Sequence, residues 1–117
     1  MNIIHVPFIR EGHMYKQRFD IPIDVVREAG WDETAVYYFK SRKNVEGQIR
    51  LVLSQSKECG DLPHKPYFAK KTGQTEYGIN IYPFVPGGYK VADDVQVKID
   101  GLNKEIHAVF NIVPRYR

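Results

Sequence analysis

Apolar residues recur along this chain in short alternating runs separated by Gly, Asn or Pro, the pattern of strands rather than of long helices. Val6 to Ile9 reads as a strand, and Glu11-Gly12-His13 carries the residues of a turn. In Met14 to Ile23, Phe19, Ile21 and Ile23 alternate with Arg18, Asp20 and Pro22, which predicts a second strand closing a hairpin. Pro22 has no N–H to give to a ladder, so it is expected at that strand's end or edge.

From Asp24 the period changes. Val25, Val26 and Ala29 fall on one helical face, Asp24 stands where an N-cap would, and Gly30 is a stop signal, so a short helix of about two turns is expected. Ala35, Tyr37 and Phe39 then alternate with Val36, Tyr38 and Lys40. Ser41-Arg42-Lys43-Asn44 reads as a polar hairpin tip, and its charges as solubilising ones. Gly47 leads into Ile49 to Leu53, whose alternation sets Arg50 on the face opposite the Ile and Leu side chains.

Residues 54–66 hold Gly60, Pro63 and Pro66 and read as a connection. Beyond them the first unit recurs: Tyr67 to Lys71 as a strand, Thr72-Gly73-Gln74 as a turn, and Tyr77 to Ile81, Val95 to Ile99 and Ile106 to Phe110 as alternating strands. Phe19, Ile21, Ile23, Gly30 and Trp31 correspond to Tyr77, Ile79, Ile81, Gly88 and Tyr89 at an offset of 58. Ala35, Tyr37 and Phe39 correspond to Val95, Val97 and Ile99 at 60, and Ile49, Leu51 and Leu53 to Ile106, Ala108 and Phe110 at 57. The expected organisation is one domain over 1–117 made of a first half, 1–55, and a degenerate second half, 66–117. Pro83 and Pro86 stand in the helix region of the second half, where each would remove a helical donor, so a loop is expected there.

Composition agrees with one folded domain. The chain has 117 residues, 43% of them hydrophobic and 26% charged, far from the composition of disordered chains. Its net charge of +3 is mild, and splitting at Ser56 leaves halves of +1 and +2, so neither half is a basic domain. What a phosphate partner would respond to is the placement of the cations. The single cysteine, Cys59, makes no internal disulfide, no apolar run approaches the ~20 residues of a spanning helix, and the N-terminal residues lack a signal-peptide pattern. A cytoplasmic protein without a membrane segment is expected.

Enzymatic chemistry has no motif here: no Gly-rich phosphate loop, Gly-x-Ser-x-Gly elbow or His-Glu-x-x-His occurs. Cys59 and His64 are separated by four residues, but no second ligand pair completes a metal set, so neither metal nor cofactor is expected. Asp93-Asp94 precedes a strand and reads as turn chemistry. Trp31, Tyr37, Tyr38, Phe39 and Tyr89 read as core aromatics, and His107 alternates with apolar neighbours so as to face solvent.

The stretch Arg18-Phe19-Asp20-Ile21-Pro22-Ile23-Asp24-Val25-Val26-Arg27-Glu28-Ala29-Gly30-Trp31, followed by Ala35 to Phe39, resembles the AbrB/SpoVT/MazE swapped-hairpin family of DNA-binding regulators. The shared pattern is a basic residue, a strand ending in Ile-Pro, a short helix carrying Arg or Lys, a Gly stop and another strand, and it covers Val6 to Leu53. The resemblance implies a mainly β, barrel-like fold of cradle-loop type, built here from two hairpin repeats with one short helix in the first. Copies of about 50 residues bury too little surface to stand alone, which is why they pair. The chain would then be a monomer or a homodimer.

The resemblance further implies that duplex DNA is the partner and that the basic side chains of the first hairpin and helix start contact it. Position by position these are Arg10, Lys16, Arg18 and Arg27, with Lys70 and Lys71 on the corresponding strand of the second half. The expected function is therefore a transcriptional regulator that grips duplex phosphates and groove edges. The alternative is a protein-interaction module, such as an antitoxin or a small virus-encoded inhibitor, docking through Tyr82-Pro83-Phe84-Val85-Pro86.

Overall fold

Pro7 divides the first apolar run into two strands that go to different sheets. In the computed structural model, which describes residues 3–11, 14–57, 62–71, 74–81 and 84–115, β1 (Ile3–Val6) and β2 (Phe8–Glu11) flank this proline. For residues 9–11, 14–17, 67–71 and 74–75 the backbone alone is described. β2 forms the expected hairpin with β3 (Met14–Pro22), and Pro22 is that strand's last residue. The rest are α1 (Ile23–Glu28), β4 (Tyr38–Val45), β5 (Gln48–Ser54), β6 (Tyr67–Lys71), β7 (Gln74–Asn80), β8 (Tyr89–Val91), β9 (Val95–Asp100) and β10 (Glu105–Pro114). The fold is mainly β with one short helix.

One sheet runs β1-β9-β10-β5-β4, with β8 pairing the far end of β10, and the other runs β2-β3-β7-β6. Each ends in edge strands, so the sheets are not closed into a barrel. The alternating residues of the two sheets make one core. Phe19, Ile21, Tyr77 and Ile79 from the four-stranded sheet are fully buried, as are Leu53, Val95, Val97, Ile106 and Ala108 from the larger one, with Leu51 and Phe110 nearly so. Burying this set supplies the main driving force for folding, at roughly 25 cal/mol per Å² of apolar surface removed from water.

Three local readings change. First, Asp24 is not the N-cap: the helix starts one residue earlier, at Ile23, with Pro22 in the capping position at φ −55°. The proline ring already holds the backbone angle that leads into the helix, and Asp24 falls in the first turn, where its charge faces the exposed N–H groups. The stop is as read, with Gly30 at φ +79° and its N–H bonded to the Arg27 carbonyl.

Second, the β4–β5 hairpin does not turn at Ser41 to Asn44. Those residues continue β4, and the reversal occurs at Glu46-Gly47, both with positive φ (51° and 82°), between the paired residues Val45 and Gln48. Positive φ at both positions is the pattern of a type I′ two-residue loop, which Gly47 adopts freely. Third, a register shift between Phe39 and Ser41 absorbs Lys40 and re-aims the residues beyond it.

In the second half, residues 84–88 form tight turns instead of a helix, held by Phe84 N–H to Ile81 O and Tyr89 N–H to Pro86 O. Thr72, Gly73, Tyr82 and Pro83 lie outside the described residues. No helix among the described residues is long and apolar enough to cross a membrane.

Candidate nucleic-acid interface

The cations expected from the resemblance all belong to the four-stranded sheet and the helix that follows it. Arg10 lies in β2, Lys16 and Arg18 in β3, and Lys70 and Lys71 in β6, so the strand order brings their backbones into one sheet. The side chains of Arg10, Lys16, Lys70 and Lys71 are outside the described residues. Arg18 is described, and it is largely withdrawn from solvent: its side chain is 15% exposed, with Nε 3.3 Å from Oδ1 of the buried Asp20. Arg27 is exposed but held by a fork of contacts, Nε to Glu33 Oε2 at 2.5 Å and Nη2 to Glu33 Oε1 at 3.1 Å, with Asp24 3.4 Å from Nη1. The Glu33 hydrogen bond raises the guanidinium's pKa, and the same bond lowers that of Glu33. Both arginines are thus matched by carboxylates, and the structure does not bring them into one cationic cluster.

The outer face of the larger sheet is different. Following the ladders, one cross-strand row reads Ile3, Lys98, His107, Val52, Ser41, and the next reads His5, Gln96, Val109, Arg50, Lys43. These rows alternate with the core residues Leu51, Val97 and Ala108, so strand geometry sends all ten side chains to the side away from the core. They contain five basic side chains and no carboxylate. Lys43 stands directly opposite Arg50, and Lys98 directly opposite His107. Lys43, Arg50 and Lys98 are exposed, while Val52 and Val109 lie half-buried between them, lining a shallow depression of about 350 Å³. Arg50 donates from Nε to Gln48 Oε1 at 2.9 Å, a neutral partner that leaves its charge uncompensated.

Acidic groups border this surface at its ends. His5 Nδ1 lies 3.2 Å from Asp94 Oδ2 at the β1 edge. In the row beyond His107, the buried Glu105 accepts from Lys40 Nζ, and its Oε1 lies 3.2 Å from His107 Nε2. The Lys40 ammonium, followed by His107, holds the Glu105 carboxyl below its ordinary range against the opposing effect of burial. Asp100, Glu105 and His107 converge closely enough to hold a metal ion, but their acceptors are already engaged, Glu105 by Lys40 and Asp100 by the Asn103 amide at 2.8 Å. This cluster is an ion-pair and hydrogen-bond network.

Of the aromatics read as core, Trp31, Tyr37 and Tyr38 are buried and Phe39 is half-buried, whereas Tyr89, on the short strand β8, is exposed. Trp31 stacks on Tyr37 with ring centroids 6.3 Å apart and meets Tyr77 edge-on, and Tyr37 in turn stacks on His64. Burial pushes the Tyr37 hydroxyl up to about 12 and lowers the pKa of His64, which keeps that imidazole neutral at pH 7. Cys59, the other half of the Cys59/His64 spacing, lies outside the described residues. No Phe, Tyr or Trp stands in the two basic rows.

Compared with known proteins, the chain matches no family model, no curated protein and no solved structure. The swapped-hairpin resemblance therefore rests on the Arg18 to Phe39 pattern itself. The basic rows were only partly visible beforehand. Alternation already sends Arg50, Lys98 and His107 outward, but nothing local to their segments says that β5, β9 and β10 are neighbours. Lys43 was hidden by the placement of the turn.

Proposed function

We propose that this chain is a DNA-binding protein, a regulator in the sense of the AbrB-like resemblance, that holds duplex DNA on the outer face of its larger sheet. One observation carries the reading: Lys43, Arg50 and Lys98 share two cross-strand rows that contain no carboxylate, with His107 beside them bordering on Glu105. Phosphate contacts supply most of the affinity in sequence-tolerant binding, so a concentrated cationic face matters more than a net charge of +3. Arg18 and Arg27, each matched by a carboxylate, contribute less in this reading.

The two-half organisation is part of the proposal. The β3–β7 ladder is centred on Asp20 opposite Gly78, and the β5–β10 ladder on Leu51 opposite Ala108. These central pairs are separated by 58 and 57 residues, the offsets that align the halves in sequence, which supports 1–55 and 66–117 as paired copies in one unit. A single chain then supplies what two separate copies would otherwise assemble.

A salt-titrated anisotropy assay with a fluorescent 20-base-pair duplex tests the function. We expect micromolar-range binding at low salt that weakens steeply with added salt, and a slope reduced by about 0.9 for each cation removed among Lys43, Arg50 and Lys98. The Arg18→Ala/Arg27→Ala variant should keep most of the wild-type affinity. Absence of duplex binding by the wild type at low salt overturns the proposal.

A further inference from the structure

The basic side chains on the larger sheet are arranged as two pairs equivalent in position, with His107 beside Glu105 where Arg50 has Gln48. A half-turn about the sheet normal at the Leu51–Ala108 pair carries Arg50 onto His107, Lys43 onto Lys98, Val52 onto Val109 and Ser41 onto Gln96. The equivalence extends to the outer strands because Arg42 faces Leu51 as Val97 faces Ala108. We infer that the two pairs, Lys43/Arg50 and Lys98/His107, take one phosphate from each backbone of the same duplex, with the two-fold of the sheet laid on a dyad of the DNA.

This rests on the DNA-binding reading and goes further by specifying the ligand's symmetry. The two backbones of a duplex run antiparallel and are related by two-fold axes, whereas a single strand is polar and has none. Strands about 4.8 Å apart with a rise of about 3.4 Å per residue put the midpoints of the pairs, two strands and two residues apart, about 12 Å from one another. That is the scale of the B-form major groove, about 12 Å wide, whereas A-form RNA has a deep, narrow major groove. At the axis stand Val52 and Val109, half-buried aliphatic side chains that offer no ring for a splayed base to stack on. One chain therefore presents both contact points of one dyad, with no second copy required.

The test compares the full-length wild type with Lys43→Ala/Arg50→Gln and Lys98→Ala/His107→Gln. It uses anisotropy on duplex DNA, the single strand of the same sequence, and duplex RNA, with a thermal melt of each variant to establish folding. Expected are preference for duplex DNA over both other ligands by about tenfold, a 1:1 complex, and comparable losses of about tenfold from either double variant at low salt. If wild type binds duplex DNA but one double variant binds as wild type does, the dyad assignment is overturned while DNA binding stands. Equal affinity for the single strand, or for duplex RNA, overturns it as well. If wild type binds no duplex at low salt, DNA binding itself fails.

Discussion

Lys43 faces Arg50 across the β4–β5 ladder, two like charges on adjacent strands with no carboxylate in their row. Like charges directly opposite each other cost stability, so this arrangement is a local expense that folding alone does not explain. Lys43→Glu should replace the repulsion with a cross-strand ion pair and stabilise the protein by about 0.5 kcal/mol, a rise on the order of 2 °C in Tm. The same variant should bind duplex DNA more weakly than wild type. A thermal melt beside a binding titration checks both signs, and a lowered Tm would show that the pair is not repulsive.

The Glu46-Gly47 turn sets which residues of β4 reach that face. Gly47 sits at φ 82°, where an added Cβ would meet only the Ile112 carbonyl at 3.5 Å, so the cost of Gly47→Ala is conformational, about 1 kcal/mol. Glu46 occupies left-handed backbone at φ 51° without being glycine. Glu46→Asn, which creates the preferred Asn-Gly loop, should raise stability by about 0.5 kcal/mol. Urea denaturation of the two variants should move the midpoint in opposite directions with unchanged m-value.

Trp31 ties the helix exit to the far end of the larger sheet. Its indole Nε1–H donates to the Lys104 carbonyl at 2.7 Å, in the turn between β9 and β10, while its ring packs on Tyr37 and Tyr77. Trp31→Phe keeps most of the packing and loses the hydrogen bond, at about 1 kcal/mol, whereas Trp31→Ala should cost about 3–5 kcal/mol. Equal losses for the two variants in chemical denaturation would assign the whole effect to the hydrogen bond.

Acid should destabilise the fold in part through the buried Glu105. Its folded pKa lies below the ordinary 4.5, chiefly because of Lys40. Its stabilisation is therefore fully present above the unfolded value and is lost as pH falls through the folded one. Asp32, Glu33 and Asp100 are lowered as well and act in the same direction. Stability measured by urea at stepped pH should fall below about pH 4.5, and Glu105→Gln should be less stable than wild type at pH 7 with a shallower acid decline.

The strands themselves were legible because alternation is a local property. Phe19/Ile21, Ile49/Leu51/Leu53 and Val95/Val97/Ile99 each declare a buried face without reference to the rest of the chain. Turns were less legible. Ser41 to Asn44 has a turn's composition, yet the ladder runs through it because the positive-φ pair further on closes a tighter loop.

The candidate site divides in the same way. Sequence by itself determined that Arg50, Lys98 and His107 leave the core, and that Arg18 and Arg27 stand in a recognisable hairpin-helix pattern. Only the tertiary structure decided that Arg18 lies against Asp20, that Arg27 is held by Glu33, and that three separate strands combine with β4 into one basic face. The physical reason is that side-chain direction follows from the two-residue period within a strand, whereas which charges become neighbours depends on strand order. That order is set by burying both sheets' apolar faces in one core, over separations that no local pattern records.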